Sequence, residues 1–527
     1  MLNAESEGGF CLPISSTNNM LVKTKTGTVV GVEGLVIHVE VDMGGGVNTF
    51  RMVGLPDAVV REAQVRVRSA LANSGFGILK GAVTINLAPA GVKKQGSAFD
   101  LAVALGLVAA QKRAPVGPLG NTLFLGELAL DGNLRAVRGV LPAVLEAAKS
   151  GIPRVVVPKA NGAEAALVKD VSVYTVDSLR EAVDLLSSDW GTPEPITRPR
   201  SIRAADEVDL SDVKGQSSAK RALEIAAAGG HNLLMSGPPG AGKSLLAMRL
   251  PSILPPLSFD HALEVTKIYS VSGLLDEGTL VSNPPFRAPH HTVSTAALVG
   301  GGMGPRPGEV SLAHRGVLFL DELAEFARPS LESLRQPLEE GKVRIRRVDR
   351  MATLPARFTL VAAMNPCPCG YRGAKTRPCD CTPGMIHRYQ SKISGPLLDR
   401  IDLRITVRAL ASREMLSKTS GESSADVRGR VERARRVQGA RFRRGAAKLN
   451  AFMTPKQIAR YCGLDDKTEA MLKRAMERLL LSARAFHRVL KVSRTIADLA
   501  GSDSIASTHV QEAILYRTSC HGDDVDP

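Results

Sequence analysis

The stretch that most constrains this chain is a glycine-rich loop between an apolar run and a helix-forming segment. The run at residues 233–235 predicts a buried strand, and helix-forming sequence resumes at Leu245. Glycines let backbone N–H groups converge on phosphate oxygens, and the helix N-terminus adds partial positive charge. The lysine of such a loop reaches the β- and γ-phosphates, and the next hydroxyl ligates magnesium. A purely structural glycine turn is the alternative. We predict that ATP and magnesium bind at Gly237, Pro238, Pro239, Gly240, Ala241, Gly242, Lys243 and Ser244.

Polar residues follow two further apolar strands. The run at residues 316–320 ends in Asp321 and Glu322, and the run at 358–363 leads to Asn365. Asp321 can share magnesium with the loop hydroxyl, and Glu322 can polarise the attacking water. Asn365 is placed to orient that water or to sense the γ-phosphate. Carboxylates after apolar strands are common, so this motif predicts an ATPase site only together with the phosphate loop.

One arginine further along is a candidate arginine finger. Arg400 stands in the segment 394–402, where the local strand would direct it away from its own nucleotide. It would then act on a neighbouring subunit, and such a finger contributes about 10³–10⁵-fold in rate. The alternative is an ordinary surface pair between Arg400 and Asp402, which would contribute little to stability.

The front of the chain predicts a mixed α/β unit. Alternating runs at residues 27–38 and 39–42 predict strands before a triple-glycine turn. Residues 57–73 carry apolar side chains at helical spacing. Strands and helices continue to alternate as far as residue 186.

Two stretches of this unit, residues 88–100 and 131–140, resemble the Lon protease domain. Lon uses a Ser–Lys dyad, but the alignment puts Ala98 at the nucleophile position and Leu141 at the lysine position. A residual dyad would have to use neighbouring residues, namely Ser97 with Lys93 or Lys94. We therefore expect a Lon-protease-like, S5-like α/β fold without peptidase chemistry, since fold does not imply function.

Four of the seven cysteines crowd into residues 367–381, with one residue inside each pair and nine residues between the pairs. Two close pairs joined by a loop can supply four thiolates for tetrahedral zinc. The spacing inside each pair is tighter than is usual for zinc, so free thiols are the main alternative. Strained disulfides are disfavoured in a cytosolic protein. The candidate zinc ligands are Cys367, Cys369, Cys379 and Cys381.

The motif order resembles the magnesium-chelatase-like AAA+ ATPases. With the Lon-like front domain and the paired cysteines, it is most similar to the YifB/ComM group over nearly all of residues 20–520. This resemblance implies a ring, usually of six subunits, with ATP at each interface. ComM proteins are understood as helicases, so it also implies branch migration in homologous recombination and natural transformation. It places a lid arginine in residues 481–488, where Arg484 is predicted to contact the γ-phosphate and Arg488 is the alternative.

The charge balance suits a polyanionic partner. The chain carries a formal net charge of +16, and residues 428–494 hold 19 Lys or Arg against five acids. Nucleic acid is the first candidate, and a basic surface that binds nothing is the alternative. No apolar run is long enough for a membrane, and no secretory signal is visible, which favours the cytoplasm. We therefore predict single-stranded or branched DNA as the partner and no membrane.

Two basic segments are candidate DNA contacts. Residues 339–358 predict a hairpin that can line the pore of a ring, with a solvated hairpin as the alternative. In the lid, Phe442 lies within a cluster of arginines and is available for base stacking. We expect His290 and His291, in the insert at residues 268–315, to contact DNA or a neighbouring subunit rather than a metal. The predicted DNA-binding arginines are Arg346, Arg347, Arg350, Arg441, Arg443 and Arg444.

Composition shifts set the expected domain boundaries of an α/β multidomain protein. The linker is recognised by three prolines and the lone tryptophan, Trp190. We predict a disordered leader at 1–19, the Lon-like domain at 20–187, the linker at 188–208, a P-loop AAA+ core with pore hairpin inserts at 209–410, a C-terminal α-helical lid at 411–520 and a tail at 521–527.

The predicted function is that of a hexameric, ATP-hydrolysing motor on DNA. Two alternatives stay open: a protein-remodelling AAA+ chaperone, and a metal-insertion ATPase of the chelatase type. The basic hairpin and the basic lid favour DNA over both.

Overall fold

The structure, a computed structural model, describes most of the chain and divides it into two compact units. They are Met1–Arg198 with Gly273–Thr279, and Pro199–Ser272 with Leu280–Pro527. The predicted leader, the tail and much of the linker lie outside the described residues. The residues that the structure describes are 20–94, 96–195, 208–275, 280–301, 306–347, 350–374, 377–410, 421–442, 449–479 and 482–518.

The described part of the first unit contains a mixed sheet. Its strands are β1 (Met20–Val30), β2 (Glu33–Gly44), β3 (Thr49–Val53), β4 (Ala82–Ala88), β5 (Thr122–Phe124), β6 (Glu127–Leu128), β7 (Leu134–Arg135), β8 (Arg154–Pro158) and β9 (Ser172–Val176). Seven of them pair in the order β3-β4-β2-β1-β5-β8-β9, while β6 and β7 form a separate hairpin. The strands β1 and β2 are antiparallel along their full length, from Met20 opposite Met43 to Val30 opposite Glu33.

Helices cover this sheet with apolar faces. Asp57 caps the first helix by accepting a hydrogen bond from the backbone N–H of Val60 at 2.8 Å. The second helix is buried over its whole length, as its almost entirely apolar sequence requires. The helices are α1 (Ala58–Asn73), α2 (Asp100–Ala110), α3 (Val140–Lys149), α4 (Gly162–Ala165) and α5 (Leu179–Ser187), with 3₁₀ turns at Gly117–Asn121 and Lys159–Asn161.

The second unit is built on a parallel sheet. Its strands are β10 (Leu233–Ser236), β11 (Phe286–Arg287), β12 (Gly300–Gly301), β13 (Arg306–Pro307), β14 (Val317–Leu320), β15 (Lys342–Arg347), β16 (Arg350–Pro355), β17 (Thr359–Met364) and β18 (Leu403–Thr406). Five strands pair in the order β11-β14-β17-β10-β18, all parallel in their printed registers. The pairs β12–β13 and β15–β16 are antiparallel hairpins. The second of these is the hairpin predicted at residues 339–358.

Helices pack on this sheet and continue into a helical C-terminal part. One buried cluster joins both, from Leu233 and Leu250 beside the sheet to Val431 and Ile496 in the later helices. The helices are α6 (Ser217–Gly229), α7 (Lys243–Ile253), α8 (Phe259–Ser272), α9 (Thr295–Val299), α10 (Glu309–Leu312), α11 (Arg328–Ser333), α12 (Arg335–Glu340), α13 (Pro383–Gln390), α14 (Gly395–Leu398), α15 (Ser424–Arg441), α16 (Pro455–Tyr461), α17 (Asp466–Arg478), α18 (Ala483–Leu499) and α19 (Ser507–Thr518), with 3₁₀ turns at Leu210–Asp212, Leu323–Glu325 and Asn450–Phe452.

The coarse fold prediction is therefore confirmed: the chain is a mixed α/β protein with a parallel sheet and many helices. Among the described helices, none combines the length and the apolar character needed to cross a membrane.

Candidate nucleotide site

The phosphate loop lies where the predicted strand and helix meet, between β10 and α7. Gly237 opens it, and only glycine fits there, because a Cβ atom would lie 2.2 Å from the carbonyl oxygen of Val407. The loop ends at the N-terminus of α7, where backbone N–H groups and the helix dipole favour an anion. The loop therefore ends at a helix N-terminus, where an anion is favoured.

Lys243 lies inside this loop and is largely buried. Its ammonium donates hydrogen bonds to the backbone oxygens of Gly237 at 2.6 Å and Pro238 at 2.9 Å, and to Oδ1 of Asn365 at 3.1 Å. Burial lowers the pKa of Lys243, and the nearby carboxylates of Asp321 and Glu322 oppose that shift. Lys243 and Asn365 therefore meet, although 122 residues separate them.

The predicted magnesium ligands also meet. The Ser244 hydroxyl donates a hydrogen bond to Oδ2 of Asp321 at 2.5 Å. In the parallel register, Ser236 pairs with Met364 and Leu320 with Ala362, so the residues that follow these strands share one edge of the sheet. A hydroxyl and a carboxylate oxygen side by side form a donor set that magnesium accepts.

Glu322 has an unusual backbone and an unexpected partner. Its φ of 52° lies in the left-handed region, which is uncommon for a non-glycine residue. Its carboxylate is 56% exposed and lies 3.1 Å from Nδ1 of His291. The His291 ring packs against His290, with centroids 4.1 Å apart, and edge-on to Phe326. Sequence reasoning missed the contact with Glu322, because no local pattern links residues 291 and 322.

A cavity of about 340 Å³ continues from the phosphate loop. Its wall combines the loop with the segment before α6 and the end of the segment after β18. The side chains of Val213, Leu245 and Leu410 give it an apolar lining that suits the flat face of a base. The remaining lining residues are Asp212, Lys214, Gln216, Ala241 and Gly242.

The structure turns Arg400 inward. Its guanidinium donates to the carboxylate of Glu339 and, at 2.5 Å, to the carbonyl oxygen of Pro396. Burial lowers the pKa of Arg400; Glu339 opposes the shift, whereas the positive charges of Arg335, Arg484 and Arg488 add to it. Arg400 is 6% exposed within the single chain.

The alternative pair of Arg400 with Asp402 does not form. Asp402 instead accepts a hydrogen bond from Arg488 and lies 3.5 Å from Nδ1 of His231. Arg484, in the first turn of α18, is exposed. Of the two candidate lid arginines, Arg488 is therefore engaged in its own chain, whereas the Arg484 side chain faces solvent.

The four cysteines converge. Their Sγ atoms all lie within 4.8 Å of one another, and those of Cys367 and Cys369 are 3.4 Å apart. A hydrogen bond from the backbone N–H of Tyr371 lowers the pKa of Cys369 to about 6. Such a group can hold a metal ion. The loop that carries the cysteines lies against the phosphate loop at Gly370. A Cβ atom added there would lie only 2.7 Å from Cδ of Pro239.

The expected base-stacking role of Phe442 is wrong in this structure. The ring is 2% exposed and packs edge-on against Tyr461, with centroids 5.8 Å apart, because it faces the core of the helical part. The neighbouring Arg441 donates to Asp498 and Asn450 and is 12% exposed, so its guanidinium is engaged inside the unit.

The side chains of the other predicted DNA-binding arginines lie outside the described part of the chain. In the hairpin, the register pairs Arg347 with Arg350 at the tip and Arg346 with Met351. The structure describes only the backbone of these hairpin residues. Arg443 and Arg444 lie outside the described residues.

In the first unit, the two positions that the sequence comparison aligned with the Lon dyad carry no ionisable side chain, since they are Ala98 and Leu141. Lys94, one of the two lysines considered as a base, is fully buried and donates to the backbone oxygens of Gly54, at 2.7 Å, and Pro89. Burial lowers the pKa of its amine. The hydrogen bonds of Lys94 therefore link the backbone at Gly54 to the backbone at Pro89.

Three stretches of the chain match family models of magnesium chelatase. Residues 209–415 match the model of magnesium chelatase, subunit ChlI, and residues 39–161 match that of subunit ChlI of Mg-chelatase. Residues 421–517 match the C-terminal model of the same subunit. Together the matches span both units.

Individual relatives extend this finding. Competence protein ComM of Haemophilus influenzae is 45% identical over 497 residues, which cover 93% of this chain and 96% of the relative. Uncharacterized protein YifB of Escherichia coli K12 is 45% identical over 495 residues, with the same coverage. DNA repair protein RadA of Listeria monocytogenes is 38% identical over 96 residues, covering 18% of this chain and 21% of the relative.

Proposed function

This chain belongs to the YifB/ComM family of magnesium-chelatase-like AAA+ ATPases, and we propose that it is an ATP-driven motor that moves on DNA. More specifically, we propose a branch-migration helicase that acts in homologous recombination and natural transformation. The observation that carries the ATPase part of the proposal is the convergence of Lys243, Ser244, Asp321 and Asn365 at one edge of the parallel sheet. Parallel sheets bind ligands at this carboxyl edge.

The convergent residues support specific roles in ATP hydrolysis. Ser244 and Asp321 would hold magnesium, which neutralises charge on the phosphates when bound. Lys243 would bind the β- and γ-phosphates, and Asn365 would orient the water or sense the γ-phosphate. Glu322, whose carboxylate is more than half exposed, would accept a proton from the attacking water.

The arginines support a shared site. In the single chain Arg400 is turned inward and Arg484 is exposed. Arg400 precedes β18, at the opposite end of that strand from the phosphate loop, so we assign it to the nucleotide of a neighbouring subunit. We assign the exposed Arg484 to the γ-phosphate as the lid residue. A ring of six subunits is the assembly that this arrangement would serve.

DNA as the substrate rests on charge and on relatives. The net charge of +16 favours a polyanion. One relative is named a competence protein and another a DNA repair protein. In this proposal the hairpin β15–β16 lines the pore of the ring and contacts single-stranded or branched DNA, and the protein works in the cytoplasm.

The remaining parts receive supporting roles. We propose a Lon-like domain at 20–187 that serves as a scaffold, a linker at 188–208, an AAA+ core at 209–410 and a helical lid at 411–520. The absence of ionisable side chains at Ala98 and Leu141 supports the loss of peptidase chemistry. The convergence of four cysteines supports a structural zinc ion.

The deciding experiment measures ATP turnover of the full chain with single-stranded, forked and four-way-junction DNA. We expect stimulation by DNA and binding that weakens as salt rises, because bound phosphates release counterions. An unfolded protein serves as the competing substrate. Stimulation by that protein and none by any DNA would reject the DNA motor in favour of a remodelling chaperone.

A further inference from the structure

The resting position of Arg400 is incompatible with a finger that reaches a neighbouring subunit. Arg400 lies between α14 and β18, and both terminal nitrogens of its guanidinium donate within its own chain, to Glu339 and Pro396. Its Nε is buried, and among the described residues it has no hydrogen-bond partner. To act on another subunit, this side chain must first leave Glu339.

Glu339 belongs to the helix that leads directly into the basic hairpin. It is the penultimate residue of α12 (Arg335–Glu340), and β15 begins at Lys342. The next residue, Glu340, forms an ion pair with Arg344 of β15 at 3.0 Å. Gly341 accepts a hydrogen bond from the backbone N–H of Ala356 at 2.9 Å. The end of α12 is thereby bonded to β15 and to the residue that follows β16, so we expect a displacement of the hairpin to move Glu339 as well.

The ion pair between Arg400 and Glu339 is suited to reversible release. The Glu339 side chain is 56% exposed, whereas that of Arg400 is 8% exposed, so solvent screens the pair from the carboxylate side. A triphosphate carries more negative charge than one carboxylate and accepts from both arms of a guanidinium. Three other cations, Arg335, Arg484 and Arg488, act electrostatically on Arg400. Repulsion from these cations favours departure once the carboxylate moves away.

We propose that Glu339 is a positioning residue that holds Arg400 inside its own subunit, and that displacement of the hairpin β15–β16 by DNA loosens this hold. The inference rests on the proposed function, because it takes Arg400 as the finger and the hairpin as a DNA contact. It adds a specific route by which the occupied hairpin raises ATP turnover at the neighbouring nucleotide. The element with two positions is the Arg400 side chain, either paired with Glu339 or extended from the subunit.

The test compares ATP turnover of full-length variants without DNA. Glu339→Gln keeps the shape of the side chain but removes its charge. We expect kcat to rise about threefold to fivefold with an unchanged KM for ATP, the range that loss of a screened ion pair can supply. Glu339→Asp retains the charge and should stay near the wild-type rate. In Glu339→Gln/Arg400→Ala the rise should disappear, because it acts through Arg400.

The matched control is Glu469→Gln. Glu469 is 51% exposed and pairs with Lys473 in α17 at 3.0 Å, so the chemical change and the exposure resemble those at Glu339. This control should turn over ATP at the wild-type rate. Glu339→Ser provides a second neutral variant with the same expected rise, and the unfolding temperature of each variant checks its folding.

Two outcomes separate this inference from the proposed function. A DNA-free kcat that is unchanged or lower in folded Glu339→Gln and Glu339→Ser would overturn the inference, even if DNA stimulates the wild type. A rise in both variants without any stimulation by DNA would retain the restraint on Arg400. That result would reject both the coupling through the hairpin and the DNA function.

Discussion

In the phosphate loop, Lys243 and Ser244 meet partners from other strands of the same sheet, whereas Arg400 is turned back on its own chain. The first pair is bonded to Asn365 and Asp321 at 3.1 and 2.5 Å. Arg400 is bonded to Glu339 and buried. One chain therefore brings together the side chains that we propose for the phosphates and magnesium, but not the arginine that we propose as the finger.

The difference follows from topology. Parallel strands end at a common edge, so residues placed after β10, β14 and β17 come together whenever the sheet forms. Arg400 precedes β18 and is therefore at the opposite end of its strand. A residue there can reach a nucleotide more readily in a neighbouring subunit than in its own.

The prediction with the largest expected effect tests the role of Arg400 in this comparison. Arg400→Ala should lower kcat by about 10³-fold or more, because a finger of this kind supplies about 10³–10⁵-fold. Lys243→Ala should lose ATP binding. If the site is shared, mixing the two inactive variants should restore measurable turnover, since some interfaces then combine an intact loop with an intact finger.

Each variant alone, at the same total concentration, is the control for that mixture. Absence of rescue at every mixing ratio, with both variants assembled, would place Arg400 in the site of its own chain.

The second prediction tests the phosphate-loop side. Glu322→Gln should lower kcat by about 10²–10⁴-fold, because the amide cannot accept the proton of the attacking water. ATP binding should persist, since Lys243 and Ser244 are untouched. Turnover is measured by phosphate release and binding by retention of labelled ATP. Hydrolysis at the wild-type rate would remove Glu322 from the catalytic role, and Glu325→Gln, at an exposed pair with Lys392, is the control.

Much of the phosphate-loop side could be predicted from sequence, because its information is local. The loop residues are contiguous, and Asp321 and Asn365 each follow a recognisable apolar run. Parallel pairing then brings them together. The convergence of the four cysteines was predicted for the same reason, since two close pairs joined by a short loop can meet without help from distant segments.

The contacts that sequence reasoning missed are non-local. Arg400 and Glu339 are 61 residues apart, and nothing in either segment marks the other as its partner. The burial of Phe442 was missed because its neighbours in the sequence are arginines, which are typical of an exposed surface. At the front of the chain, the strand run predicted at residues 27–38 is wrong, because it crosses the turn between β1 and β2. Gly31 has a φ of 67° in that turn, and the periodicity of the side chains did not reveal it.

The third prediction concerns the cysteine cluster, which lies beside the phosphate loop, and the metal ion that we propose it holds. Elemental analysis should find about one zinc per chain, the stoichiometry of a four-cysteine site. Cys369→Ser should lose the metal and lower the unfolding temperature by about 5 °C or more, because metal binding contributes directly to folding. Cys462→Ala is the control: Cys462 is buried in the helical part, outside the cluster. A metal-free wild type with full ATPase activity would end the zinc hypothesis.

The smallest expected effect concerns whether Glu322 is oriented from within its own chain. Nδ1 of His291 lies 3.1 Å from a Glu322 carboxylate oxygen, and the His291 ring is itself fixed between His290 and Phe326. An acceptor held by such a partner has fewer orientations to search, so His291→Ala should lower kcat about threefold to tenfold with little change in KM. His291→Gln, which can still donate to the carboxylate, should recover part of the rate. His387→Ala, an exposed histidine of α13, is the matched control. Equal kcat values for the wild type and His291→Ala would mean that Glu322 is oriented by the nucleotide or by a neighbouring subunit, and that the phosphate-loop side is also incomplete in the single chain.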